Sequence, residues 1–187
     1  MTSVLSRPRP LVSLLVILGF TFAILIAMGR PAVCTCGTVT LWGHVGPKQS
    51  QMLADWYSPS HIVHGFLFYL ALRYVAPRWP VERRFAVALL VEAAWEIAEN
   101  TPMVIDRYRA VTVSFGYSGD SVVNSLADIG FMALGFWIAS KLRVWAGVVM
   151  AIAFELFTLA LIRDNLTLNI VMLLWPLDAI RTWQAGG

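Results

Sequence analysis

The 187-residue chain is 58% hydrophobic and 13% charged, with a formal net charge of +3 and a mean hydropathy of +0.69. That balance is too apolar for an ordinary soluble domain, and its dispersed Lys and Arg form no basic cluster with interleaved aromatics, which argues against nucleic-acid binding. Its repeated apolar runs predict an all-α fold instead: a polytopic transmembrane helical bundle of five or six spans, one integral membrane domain over 1–187.

The first apolar run, 11–28, follows Arg7 and Arg9. Ala27 and Gly29 would suit a signal-peptide cleavage site. The run is longer than the usual apolar core of roughly 7–15 residues, however, and Arg30-Pro31 follows at once, so it reads as an uncleaved span. A polar loop at 30–58 carries Cys34, Cys36 and His44. The two cysteines are open to metal capture with His44, or to a structural or redox pair. A second span at 60–76 ends at Pro77 and Pro80. The third, 84–104, has Pro102 near its end, and 106–119 is a second polar loop. Spans four and five cover 121–140 and 144–162. A last segment, 166–180, is interrupted by Pro176 and is either a tilted sixth span or a helix at the interface. Eight Trp and five Tyr, several at span ends, suit aromatic belts.

With a cytoplasmic amino terminus, nine of the 14 basic residues fall inside: Arg7, Arg9, Arg73, Arg78, Arg83, Arg84, Lys141, Arg143 and Arg181. Arg30, Lys48, Arg107, Arg109 and Arg163 fall outside. The positive-inside tendency therefore favours this orientation.

Polar residues inside the apolar stretches carry the functional signal. A charge near the bilayer centre costs about 2.5–3.5 kcal/mol on insertion scales, so such groups face one another rather than lipid. His61 and His64 begin a helix entering from outside; Glu92, Glu96, Glu99 and Asn100 lie on the helix that exits outward. Asp120, Asn124 and Asp128 begin the next inward helix. Their spacings of three, four and four-plus-three residues put each set on one helix face. Glu96 and Asp128 both lie about 12 Å below their outer helix ends, and Glu155 about 10 Å below its own, at 1.5 Å per residue. The inner half is nearly all apolar, which predicts a pocket open to the outside rather than a channel.

Each candidate has a plainer alternative. His61 and His64 can hold a divalent metal such as Zn²⁺ with Asp120 completing the set, or simply bond loop carbonyls at a helix start. Glu96 and Glu99 read as catalytic carboxylates, with Asp128 and His64 beside them, or as ion-pair partners of Arg107 and Arg109. Asp120 can instead be a helix N-cap, whereas Asp128 lies too deep for capping. Arg107, Arg109, Asn100 and Asn124 are candidates for contacting substrate. Glu155 is either a lone buried carboxyl or the partner of Asn169. No P-loop, GxGxxG or GxSxG occurs, so nucleotide binding and α/β-hydrolase chemistry lack support.

The segments DWYSPSHIVHGFLFY at 55–69, WEIAENTP at 95–102, GYSGDSVVNSLAD at 116–128 and NLTLNIVMLLWP at 165–176, with CTCGTVTLWGHV in the first loop, resemble an uncharacterised family of bacterial inner-membrane proteins. The resemblance spans most of the chain and implies a multi-pass cell-membrane protein with no assigned activity. A fainter one, over the third and fourth spans, is to the VanZ-like group, where Glu96, Arg107, Asp120 and Asn124 would correspond to its Glu, Arg and Asp-x-x-x-Asn-x-x-x-Gly pattern. Here Asp128 stands at the Gly position and Gly130 follows. Together these readings predict an enzyme at the periplasmic face acting on a lipid head group or envelope precursor, using a metal or acid–base chemistry. The alternative is a non-enzymatic envelope accessory or binding protein whose polar network fixes helix packing.

Overall fold

The computed structural model describes residues 9–186; Arg7, counted above with the cytoplasmic basic residues, lies outside the described residues. The described chain is all-helical. Its helices are α1 (Pro10–Ala27), α2 (Ser58–Val75), α3 (Val81–Glu99), α4 (Pro102–Val111), α5 (Val122–Lys141), α6 (Val144–Ile162), α7 (Leu166–Leu174) and α8 (Asp178–Gln184). Among the described residues the only β pairing is an isolated bridge between Trp42 and Ala54.

Three helices, α1, α5 and α6, are long and apolar enough to cross a membrane. α1 and α6 turn Leu15, Phe20, Ile152 and Leu156 outward, the arrangement of helices whose solvent is hydrocarbon rather than water. α2 and α3 are comparably long, at 18 and 19 residues, but carry the ionisable residues singled out above.

Packing centres on α5, whose closest neighbour is α2. Gly65 of α2 and Gly135 of α5 make that approach possible: a Cβ on Gly65 would strike the Met132 carbonyl and Phe136 amide, and one on Gly135 the Ile62 carbonyl. Small residues let helix backbones approach in this way. Phe66, Leu89, Ile129, Met132 and Phe136 fill the core below the crossing. Tyr69 and Phe85 pack against the Phe136 ring, with centroids 5.2 and 5.3 Å away. α1 covers α3, and α6 flanks α2.

Two element boundaries correct the sequence reading. The third helix stops at Glu99, and the expected loop at 106–119 begins as part of α4. Thr101 caps α4 by accepting from Val104 N at 3.5 Å, and Pro102 stands in its first turn. Proline suits that position because its missing N–H would be unpaired there anyway, so Pro102 starts a helix rather than ending one. The last segment is α7, nine residues long and therefore about 14 Å in rise, half of the ~30 Å hydrocarbon thickness. It is too short to cross as a helix, and Pro176 separates it from α8.

Candidate functional site

The amino ends of α2 and α5 and the carboxyl end of α3 meet at one end of the bundle, and the loop before α2 is folded over them. Arg30 donates through Nε and Nη2 to the Asp120 carbonyl oxygen at 3.0 and 2.8 Å. Pro31 and Ala32 carbonyls accept from Val122 N and Val123 N. Ser121 caps α5 by accepting from Asn124 N at 3.3 Å, while its own amide donates to Ser50 O. These bonds satisfy the amides that a helix start leaves open. They also correct the capping alternative for Asp120, because Ser121 does that work.

Asp120 is instead clasped by Asn100. The Asn100 Nδ2 donates to its carboxylate at 3.0 Å, and the Asn100 Oδ1 accepts from its amide at 2.8 Å. The same Nδ2 reaches Ser125 Oγ at 3.1 Å. Burial holds the Asp120 carboxyl above the usual carboxylate range, against the pull of its hydrogen bonds and the Arg30 charge.

Deeper in, Glu92 bridges both histidines. His61 Nδ1 donates to Glu92 Oε1 at 2.7 Å, and His64 Nδ1 approaches the two carboxylate oxygens at 3.1 and 3.0 Å. A carboxylate can only accept, so each Nδ1 carries a proton, and in the neutral imidazole each Nε2 presents its lone pair. His61 Nε2 lies 3.8 Å from Asp128 Oδ2, and His61 Nδ1 lies 3.5 Å from Glu96 Oε1. Glu96, Glu99 and Asp120 also bring one oxygen each within 4.8 Å of one another, as do donor atoms of His61, Glu96 and Asp128. Glu96 has no solvent exposure, yet neither of its oxygens has a hydrogen-bond partner; Asp128 Oδ1 and Asn124 Nδ2 are likewise buried and unpartnered. Unpaired buried polar atoms are costly, and their concentration here makes this cluster the candidate site.

A cavity of about 110 Å³ meets this cluster at His64 and Glu99. Trp95, Leu166, Ile170 and Leu173 give it apolar walls, and the phenol rings of Tyr57, Tyr108 and Tyr117 line the polar end. The Tyr57 hydroxyl donates to Asp164 Oδ2 at 2.7 Å and lies 2.9 Å from the Tyr108 hydroxyl. Burial pushes Tyr108 up to about 12 and raises Asp164 despite its four hydrogen-bond donors.

Of the residues singled out from sequence, His61, His64, Glu92, Glu96, Glu99, Asn100, Asp120, Asn124 and Asp128 are brought together. Arg107 and Arg109 are not. Arg107 is exposed and donates to the Leu173 carbonyl at 3.1 and 3.0 Å, capping the end of α7, and Arg109 is exposed. Among the described residues, every carboxylate within 4.0 Å of a basic group is paired with His61 or His64, so the Arg–Glu alternative is not formed. Glu155 is neither a lone carboxyl nor the partner of Asn169: it accepts from the amides of Leu166 and Thr167 at 3.1 and 3.0 Å, anchoring the positive end of α7. Asn169 donates to Asp164 instead. Cys34 and Cys36 form a disulfide with each other, leaving His44 exposed and apart from them in role.

Sequence reasoning missed Arg30, Asp55 and the three tyrosines. Asp55 is buried beside the cluster, accepts from Tyr57 N at 2.7 Å, and is pushed up to about 7 by burial, with Asp120 adding to the shift. Its signal was present: an Asp three residues before the Ser-Pro start of α2 is an Asx turn.

Comparison with known proteins yields a family and no structural relative. No solved structure matches the chain. A UPF0314 protein of Sphingopyxis alaskensis is 58% identical over 167 residues, covering 88% of this chain and 89% of the relative. One from Paracoccus denitrificans is 55% identical over 164 residues, covering 87% and 85%. UPF0314 protein Atu8092 of Agrobacterium fabrum is 56% identical over 163 residues, covering 86% and 82%. The family described as a protein of unknown function, DUF2585, matches residues 25–186. On a match of that extent, the chain belongs to the DUF2585 family of proteins of unknown function.

Proposed function

We propose that this cluster is the reaction centre of a multi-pass enzyme of the bacterial inner membrane, acting at the periplasmic face on a lipid head group or envelope precursor. The observation that carries this reading is the cavity at His64 and Glu99. Its apolar walls suit a hydrocarbon chain, and Glu99 at its edge adjoins the buried Glu96, whose two oxygens have no hydrogen-bond partner. A site with those two halves matches an amphiphile. With five spans Arg181 moves to the outer side, on α8 beside Arg163 and Asp164, and eight of the 14 basic residues still fall inside, which supports a cytoplasmic amino terminus and a cavity facing outward. α1, α2, α3, α5 and α6 would be the five spans of a single domain, with the ionisable faces of α2 and α3 turned inward and Leu67, Leu90, Val91 and Trp95 on their outer faces.

In this reading His64, whose Nε2 lone pair is free, moves the proton, and Glu99 meets the head group. Glu96 and Asp128 lie beneath them. Arg107 and Arg109 do not line the cavity, although Arg107 bonds the carbonyl of Leu173, which does.

A packing role for part of the network has its own support. Glu92 is saturated by two imidazoles and Asn100 ties α3 to α5, as interhelical polar contacts of about 0.6–2 kcal/mol would. Lipid mass spectrometry separates the two readings. A strain lacking the gene should show an altered head-group profile that the wild-type gene restores. His64→Asn and Glu99→Gln, present in the membrane at wild-type abundance, should fail to restore it. An unchanged profile in the deletion strain, or full restoration by both variants, would leave the packing reading.

A further inference from the structure

We infer that the cluster binds two adjacent divalent cations that share Glu96: one held by His61 Nε2, Asp128 and Glu96, the other by Glu96, Glu99 and Asp120. The inference deepens the enzymatic reading above and rests on it for its functional meaning, but not for its test.

Three sets of donor atoms converge closely enough to ligate an ion: His61, His64 and Glu92; His61, Glu96 and Asp128; Glu96, Glu99 and Asp120. Hydrogen bonding separates them. The first set is already satisfied internally, because both Nδ1 atoms are committed to Glu92. The other two contain the atoms that are buried without partners: both oxygens of Glu96 and Oδ1 of Asp128. Glu96 is the member common to both, and it has two free oxygens to divide between two ions. His61 is suited to the first ion by Glu92 itself. A carboxylate on Nδ1 fixes the tautomer and turns Nε2 into the ligand, the usual outer-shell arrangement for a metal-bound histidine. His64 is then no ligand, which departs from the imidazole pair that the sequence spacing suggested.

Charge points the same way. Four carboxylates, Glu96, Glu99, Asp120 and Asp128, crowd together, and Arg30 meets Asp120 only at its backbone carbonyl. Removed from water, such a group needs cations or protons among its oxygens. One imidazole with carboxylates suits Zn²⁺, Fe²⁺ or Mn²⁺, and the all-carboxylate set suits Mn²⁺ or Mg²⁺, so Mn²⁺ is the ion both sets share. Paired ions in two-metal sites stand about 3.5–4 Å apart, close enough for two Mn²⁺ ions to couple magnetically.

The test uses the full chain, purified in detergent, stripped with chelator and titrated with Mn²⁺. Two ions per chain and an electron paramagnetic resonance signal of a coupled pair are expected. Glu99→Gln, at the half-buried cavity edge where folding is least at risk, should leave one ion with an isolated six-line signal. His64→Asn should keep both ions and the coupling. No binding, a single ion unaffected by Glu99→Gln, or loss of an ion in His64→Asn would overturn the assignment. These outcomes are read without substrate. Two bound ions with an unchanged lipid profile would refute the enzymatic reading alone, and an altered lipid profile with no ions would refute the cation pair alone.

Discussion

Individual side chains divide into those with every polar atom paired and those without. Asp164 belongs to the first kind, accepting from Tyr57, Asn165, Asn169 and Gln184. Because burial raises it, the folded chain holds its proton more tightly than the unfolded chain does. Its contribution to stability is therefore complete below the ordinary carboxylate range and is lost as pH rises through the raised native value. Asp164→Asn should flatten that decline. Melting temperatures of wild type and variant, measured from roughly pH 4 to 8 across the carboxylate range, should differ in slope; parallel curves would show that Asp164 is not the titrating group. Glu96 and Asp128 belong to the second kind, and their cost to folding is the reason for assigning them a ligand.

Helix spacing made most of the cluster legible. The i, i+3 histidines and the i, i+4 carboxylates could be placed on common faces because a helix repeats every 3.6 residues. What spacing could not give is the direction of a long, flexible side chain. Arg107 reads from sequence as a candidate for contacting substrate or a carboxylate, yet it turns to the free carbonyl at the end of α7, a partner 66 residues away that no local pattern reveals. Glu155 likewise anchors α7 from a neighbouring helix. The α3–α4 break is readable from Thr101-Pro102 as a cap followed by a first-turn proline, a signal that placing Pro102 near the end of one longer span overlooks. At this scale the α2–α5 crossing is the element most sensitive to change. Gly135→Ala places a methyl against the Ile62 backbone, and overpacking of that kind costs about 1–3 kcal/mol. Gly130→Ala on the same helix meets nothing within 4 Å, and should be neutral or stabilising through its better helix propensity. Thermal melts of the two variants in detergent check the pair; equal effects would mean the crossing is not so close.

Across the whole molecule, three apolar helices, two polar ones and a folded loop divide the work. α1 and α6 present hydrocarbon-like surfaces, α5 is the axis, and α2 and α3 bring the ionisable groups to its amino end. The loop over 30–57 caps that end with backbone bonds to α5, so the cavity is reached beside α4 and α7. A bundle built only for stability gains nothing by gathering unpaired carboxylates where the packing of α2, α3 and α5 must hold them together. The central claim is that Glu96 serves a ligand at some expense to the fold. The melting temperature of Glu96→Gln, measured with chelator present, tests it most directly. Replacing one of the crowded carboxyls by an amide of the same shape should leave the variant as stable as wild type or more so, while it fails to restore the lipid profile. A melting temperature lower by roughly 4 °C or more, a loss of about 1–2 kcal/mol for a chain of this size, would show that Glu96 holds the bundle together instead.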